Sequence, residues 1–354
     1  MSPWFEVTLR TLAGLAGAWV VLATFLSAIK LVVVPRGGRQ RITMAVFASI
    51  RRVVEIAAGP SRDFATRDRW YSMYAPVSLV AMPFVWLFLI TIGFGLVHWA
   101  VLGREFVNAM TISGSSALTL GVAFDRSFPD PIVSFVQAGT GIVLGSLLIS
   151  YLPTLYQSYQ RRETLVGMLE SRAGIPPSPV EALTRYQRIG GIDLLDVDLF
   201  IPWETWFAEV EESHTSVAAL VFFRSPRIER SWITAAGAVL DTAALSLSCV
   251  DRPFSGRTAL SLRQGFLCLQ RTADYFGIEF DPDPQPDAPI SVTRREFDLM
   301  IHELRAADVP LKADLERAWI DFVGWRVNYD VPLIALCRLT VAPEGRWSSD
   351  RLVQ

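Results

Sequence analysis

One stretch of the chain carries residue types that could take a cation out of water. Thr119-Leu120-Gly121-Val122-Ala123-Phe124-Asp125 comes after the run Glu105–Leu118, which is rich in small residues (Ala109, Ser113, Gly114, Ser115, Ser116, Ala117), and Pro129 comes shortly after. The run is long enough for about three to four helical turns. A short helix leading into a threonine and a glycine-containing extended turn can aim backbone carbonyls at one point, where they replace the hydration shell of an ion. Glycine supplies the left-handed backbone that such a turn needs. The partly negative C-terminus of the short helix favours a cation at the same place. The candidate ion-selectivity segment is therefore Thr119, Leu120, Gly121, Val122, Ala123, Phe124 and Asp125.

Such a segment needs walls. The 354-residue chain is 51% hydrophobic and 19% charged, with a mean hydropathy of +0.33. Its charges are spread unevenly, and the first half holds three long apolar runs. A helix needs about 20 mostly apolar residues to cross the hydrocarbon. Leu12–Val34, Ala75–Leu102 and Pro131–Tyr156 each qualify; Lys30 in the first can snorkel to the interface. The stretch Leu12–Pro35 is too long for the apolar part of a signal peptide. Residues 103–130 are too short and too polar for a further span, so they read as a re-entrant loop. Non-helical backbone at membrane depth is tolerated only where it is buried or lines water.

Basic residues set the expected orientation. Arg36, Arg39, Arg41, Arg51, Arg52, Arg62, Arg67 and Arg69 lie between the first two spans, and Arg161, Arg162 and Arg172 come after the third. Only Arg104 and Arg126 lie between spans two and three, beside Glu105, Asp125 and Asp130. The N-terminus and residues 103–130 are expected outside, and the C-terminal half in the cytoplasm. Ile42, Val46, Ile50, Val53 and Ala57 recur at helical spacing, as in an amphipathic helix on the inner leaflet. The chain is thus expected to be an all-α membrane protein with three transmembrane helices, a re-entrant pore loop and a helical cytoplasmic domain. The expected divisions are residues 1–74 (first span and interfacial segment), 75–172 (pore domain) and 173–354 (cytoplasmic domain), with the last boundary at the proline-rich Ala173–Pro179.

Beyond that boundary, periodicity predicts helices near 179–188, 193–213, 229–250, 257–277, 293–307 and 311–341. Pro282, Pro284, Pro286 and Pro289 interrupt the chain, and Ser216–Phe223 is ambiguous between strand and buried helix.

The order of outer helix, short helix, TLG, Asp, Pro and inner helix resembles the pore of two-transmembrane potassium channels. It is more closely similar to bacterial ion-channel proteins whose inner helix carries AGTG, then YLP-LYQ and RRE. The residues are Ser113-Gly114, Thr119-Leu120-Gly121, Ala138-Gly139-Thr140-Gly141, Tyr151-Leu152-Pro153, Leu155-Tyr156-Gln157 and Arg161-Arg162-Glu163. The likeness covers roughly residues 75–172. It implies a homotetramer around one axial pore for a permeant monovalent cation, K+ or Na+, with filter sites built by the carbonyls of Thr119, Leu120, Gly121 and Val122. Those channels have a second glycine two residues after the first, then Asp; here Gly121 is succeeded by Val122-Ala123-Phe124-Asp125. A left-handed backbone at Ala123 would cost about 1–2 kcal/mol, so potassium selectivity is expected to be weak.

Gly139, Gly141, Gly145 and Pro153 on the inner helix are candidate gating hinges, with the glycines equally suited to packing. His98, His214 and His302 show no ligand spacing, so no metal beyond permeant cations and no cofactor is expected. Cys249, Cys268 and Cys337 lack CxxC spacing and read as buried free thiols. No GxSxG elbow or GxGxxG unit supports an enzyme or a nucleotide-binding domain, and a net charge of −2 does not suggest nucleic acid. Phe222–Pro226 and Trp325-Arg326-Val327-Asn328-Tyr329-Asp330 suit either a pocket for an unknown cytoplasmic ligand, a subunit contact, or helix packing with Arg–Asp pairing. Span one lacks an arginine ladder, which argues against voltage sensing. The expected partners are further copies of the chain and membrane lipid. The expected function is a subunit of a tetrameric cation channel; the alternative is a non-conducting, channel-like membrane sensor.

Overall fold

Apolar runs of membrane-spanning length become helices because hydrocarbon offers the backbone no other hydrogen-bond partner. A computed structural model describes residues 3–32, 41–59, 63–103 and 105–352 of the chain. Arg36, Arg39, Arg62 and Arg104 lie outside the described residues. The first five helices are α1 (Pro3–Val32), α2 (Arg41–Ala58), α3 (Phe64–Leu102), α4 (Phe106–Ala117) and α5 (Asp130–Ala173). Of these, α1, α3 and α5 are long and apolar enough to cross a membrane. Among the described residues the chain is all-helical, and its only β feature is one isolated bridge between Val250 and Leu311.

The chain divides into two compact units. The first comprises Met1–Gly59 and Met73–Tyr156. Lipid tails are as apolar as leucine, so close packing of small residues, rather than escape from water, draws such helices together. Gly17 of α1 and Gly93 of α3 face each other so closely that a Cβ on either would strike the other's carbonyl oxygen. Ala28, Met82, Trp86, Ile90, Phe94 and Leu144 form the core, and Ile42, Val46 and Phe47 of α2 pack onto it. The sequence pattern put Val53 on the same face of α2; it is instead exposed, and Val54 and Ala58 are buried.

The second unit comprises Pro60–Ser72 and Gln157–Gln354, so it takes in the last turns of α5 and the segment Ala173–Pro179. It holds α6 (Pro179–Ile189), a π turn (Asp196–Phe200) running into α7 (Ile201–Ser216), and α8 (Trp232–Ser248). Then come α9 (Gly256–Tyr275), α10 (Arg294–Ala306), α11 (Leu315–Arg326) and α12 (Asp330–Thr340). The ambiguous stretch is a 3-10 turn, Ala218–Phe222. Helix α8 is buried on nearly every side, as a helix apolar all round must be. Val166, Leu169 and Ala173 of α5 belong to the same core as Trp203, Leu240, Leu269 and Phe322. The thiols of Cys249, Cys268 and Cys337 are free and buried, and burial pushes Cys249 up to about 12.

The Trp325–Asp330 motif is packing. Arg326 is fully buried and pairs with Asp241 at 2.5 Å and Asp330 at 2.7 Å, while also donating to the Trp347 carbonyl at 2.5 Å. Tyr329 donates to Asp241 at 2.8 Å, and the Ser291 backbone N–H and hydroxyl donate to Asp330 at 2.9 and 2.7 Å. Burial works against the guanidinium charge, but Asp241 and Asp330 outweigh it and hold Arg326 above its usual range. The predicted helix 311–341 is therefore two helices, broken so that Arg326, Tyr329 and Asp330 meet in one place.

Candidate functional site

The short helix α4 folds back along α3. The Trp99 and Phe106 rings meet edge-on at 5.7 Å, and the Ser113 hydroxyl donates to the Thr91 carbonyl at 2.7 Å. Its last residue, Ala117, rests its carbonyl against Gly141 of α5, where a Cβ would collide with it. Thr91 lies eleven residues before the end of α3, and Gly141 eleven after the start of α5. At 1.5 Å per residue, the C-terminus of α4 reaches about 16 Å along both helices.

Helix α4 ends in a tight stop. Thr119 N–H donates to Ser116 O at 3.1 Å and Leu120 N–H to Ser115 O at 2.8 Å, the paired bonds of a Schellman end. The φ angle is positive at Thr119 (54°) and Gly121 (68°), but not at Ala123. The left-handed cost expected at Ala123 thus falls on Thr119, where a β-branched residue occupies a place that helix ends usually give to glycine. Ala123 N–H donates to the Ser115 hydroxyl at 3.0 Å, so Ser115, itself buried, ties down both ends of the turn.

These bonds orient the carbonyls. In a trans peptide the C=O of one residue points opposite to the N–H of the next. With the N–H groups of Thr119, Leu120 and Ala123 turned toward α4, the carbonyls of Leu118, Thr119 and Val122 are turned away from it. The Leu118 carbonyl also accepts from the Thr119 hydroxyl at 2.7 Å. Leu118, Thr119, Leu120, Gly121, Val122 and Phe124 are exposed on the single chain, Val122 to 76%. Ala123 is half-buried. Asp125 is buried, and its carboxylate accepts the Ser127 N–H at 2.8 Å, so it caps a turn.

The four candidate hinge residues separate into different surroundings. Gly141 is a packing contact with α4, whereas a Cβ at Gly139 or Gly145 would meet nothing. Pro153 is exposed within an uninterrupted α5.

Sequence reasoning missed a buried polar chain behind α4. His98 Nδ1 contacts Asp130 Oδ1 closely, and His98 Nε2 lies 3.1 Å from Gln137 Oε1. Gln137 Nε2 donates to both the carbonyl and the hydroxyl of Ser113 at 2.8 Å. His98, Asp130, Gln137 and Ser113 have no exposure at all. The signal was available: an ionisable residue such as His98 inside an apolar span marks a candidate site by default.

In the second unit, the 3-10 turn and the loop after it hold the ends of three helices, α3, α5 and α12. Arg224 pairs with Asp68 at 2.7 Å, lies over the Tyr71 ring, and donates to the Thr340 carbonyl at 2.7 Å. Tyr159 donates to the Arg224 carbonyl at 3.0 Å. Arg162, fully buried, donates at 2.7 Å to the carbonyls of Leu220 and Phe223 and at 3.1 Å to His214, and pairs with Glu163 at 2.8 Å. Burial, with the Arg162 charge beside it, pushes His214 well below its ordinary value, so the ring stays neutral and accepts. The cavity beside Phe222–Ser225 measures about 20 Å³, room for a water rather than an organic ligand.

No group of three His, Cys, Asp or Glu that could hold a metal occurs among the described residues. No protein-family model, curated protein or solved structure matches the chain.

Proposed function

We propose that the chain is one subunit of an oligomeric, tetrameric cation channel, with residues 106–129 forming a re-entrant loop between two spans. The supporting observation is the set of Leu118, Thr119 and Val122 carbonyls turned away from α4 on an exposed, non-helical segment. Exposed irregular backbone cannot face lipid, so it must line water or meet other copies. The depth of about 16 Å puts the end of α4 near the middle of a hydrocarbon layer about 30 Å thick. There its partly negative end adds to the carbonyl field. With Ala123 N–H tied to Ser115, the carbonyl ladder is shorter than the full potassium type, and discrimination between K+ and Na+ should be weak. The second unit is the cytoplasmic domain, and its loop 217–226 couples the inner ends of α3 and α5.

Reconstituted into liposomes, the protein should pass K+ and Na+ at comparable rates and exclude Cl−. An anion-selective flux would overturn the reading. The sensor alternative draws on the exposed apolar side chains of Leu118, Leu120 and Val122, which would seal an axis if turned inward. A folded tetramer without flux would select it.

The proposed topology is separately testable. A cysteine at exposed Arg126 should react with an impermeant reagent applied outside intact cells, and one at exposed Asp283 should not. Labelling at Asp283 alone would reverse the orientation.

A further inference from the structure

The buried chain behind α4 fixes its own proton count. The Ser113 carbonyl can only accept, so Gln137 must present its NH2 group to it and its Oε1 to His98. His98 Nε2 must then carry a hydrogen. On the other side of the ring, Nδ1 and a carboxylate oxygen of Asp130 are both acceptors unless one proton lies between them. The second Asp130 oxygen is buried with no hydrogen-bond partner.

We propose that His98 and Asp130 form a buried proton-binding site that sets the position of the short helix through Gln137. With the shared proton present, the pair is neutral overall, whichever atom holds it. Its loss to water leaves one net negative charge and one ring hydrogen. If that hydrogen stays on Nε2, two lone pairs oppose each other at Asp130. If it moves to Nδ1, the bare Nε2 faces Gln137 Oε1. Turning the amide to relieve this would set Oε1 against the Ser113 carbonyl. Each outcome breaks one link of the chain that runs from Asp130 through His98 and Gln137 to Ser113, two residues before the serine that holds the ion-path turn. Ser113 cannot compensate, because its hydroxyl already donates to Thr91.

Among the described residues, the ionisable groups on neighbouring elements are few. Helix α5 brings Asp130. Helix α1 brings Arg10 and Glu6, which pair at 2.6 Å, with Arg10 over the Trp99 ring rather than at His98. Glu105, before α4, is exposed. Between α4 and α5, Asp125 caps Ser127 and Arg126 lies over Phe124.

The test pairs two readouts on the full chain in liposomes, with external pH varied from about 5 to about 10, a range that brackets the reference histidine value of about 6.5. Cation flux through the unmodified protein should fall about tenfold as the proton leaves, the worth of one hydrogen bond. Asp130→Asn supplies an amide N–H to Nδ1 that cannot be lost, so its flux should stay flat with pH. In parallel, 15N spectra of the histidine rings, with His98 assigned by subtracting His98→Gln, should show Nε2–H at the acid end and a changed ring state at the alkaline end. Identical pH profiles for the unmodified protein and Asp130→Asn would overturn the proposal. So would a bare Nε2 at acid pH. The current readout alone rests on the channel reading. If neither protein passes cations, that reading fails separately and the spectra decide: a ring that titrates supports the site, and one unchanged across the range refutes it.

Discussion

Replacing Ser115 with alanine should cut cation current at least about tenfold while leaving the protein folded and assembled. Ser115 ties the far end of the turn to α4 through the Ala123 N–H. Without its hydroxyl that N–H loses its partner, at a cost of about 1–3 kcal/mol per subunit. The peptide can then rotate and carry the Val122 carbonyl off the ion path. The backbone bond from Leu120 to the Ser115 carbonyl survives, so the helix end and the fold survive with it. Ser116→Ala is the control, because Ser116 contributes a carbonyl to the helix stop but no hydroxyl bond to the turn. Single-channel recording of the two variants should separate them clearly. Equal currents would mean that the turn after α4 does not form the ion path.

The largest loss of stability should result from Arg326→Ala. Two carboxylates, Asp241 and Asp330, would be left buried without their cation, and the Trp347 carbonyl would lose its donor. Breaking a buried pair from one side costs about 3–5 kcal/mol, because the remaining charge stays desolvated. For a unit of this size the unfolding midpoint should drop on the order of 10 °C, read from tryptophan fluorescence of the full chain in detergent. Removing all three charges together, with Asp241→Leu and Asp330→Asn beside Arg326→Met, should cost much less, because no buried charge is then left unpaired. A midpoint unchanged by Arg326→Ala would show that the network contributes little.

The three long helices were legible in the sequence because hydrocarbon thickness dictates their minimum length, and α4 because it could not be a fourth span. The candidate ion-path residues were legible by type and order, but their geometry was not. Reading the turn as an extended ladder put the strained position at Ala123, whereas the helix stop puts it at Thr119. No local preference signals that, since threonine is a poor left-handed residue and the choice comes from the Ser115 and Ser116 carbonyls. Asp125 was legible as a member of the ion-selectivity segment, but not that its carboxylate accepts the nearby Ser127 N–H. His98 and Gln137 stand far apart in the chain, and only the folding of α4 between α3 and α5 brings them to Ser113. In the second unit the helical period predicted most elements. It ran through the break at 327–329, which exists because a tertiary ion-pair site needs three side chains at once.

The most direct test of the central claim is a density map of the assembled protein prepared with thallium in place of lighter cations. The account predicts a thallium peak on the symmetry axis, beside the carbonyl oxygens of Leu118, Thr119 and Val122 contributed by each copy. An axis filled by the side chains of Leu118, Leu120 and Val122, with those carbonyls turned back toward α4 and no ion beside them, would contradict it.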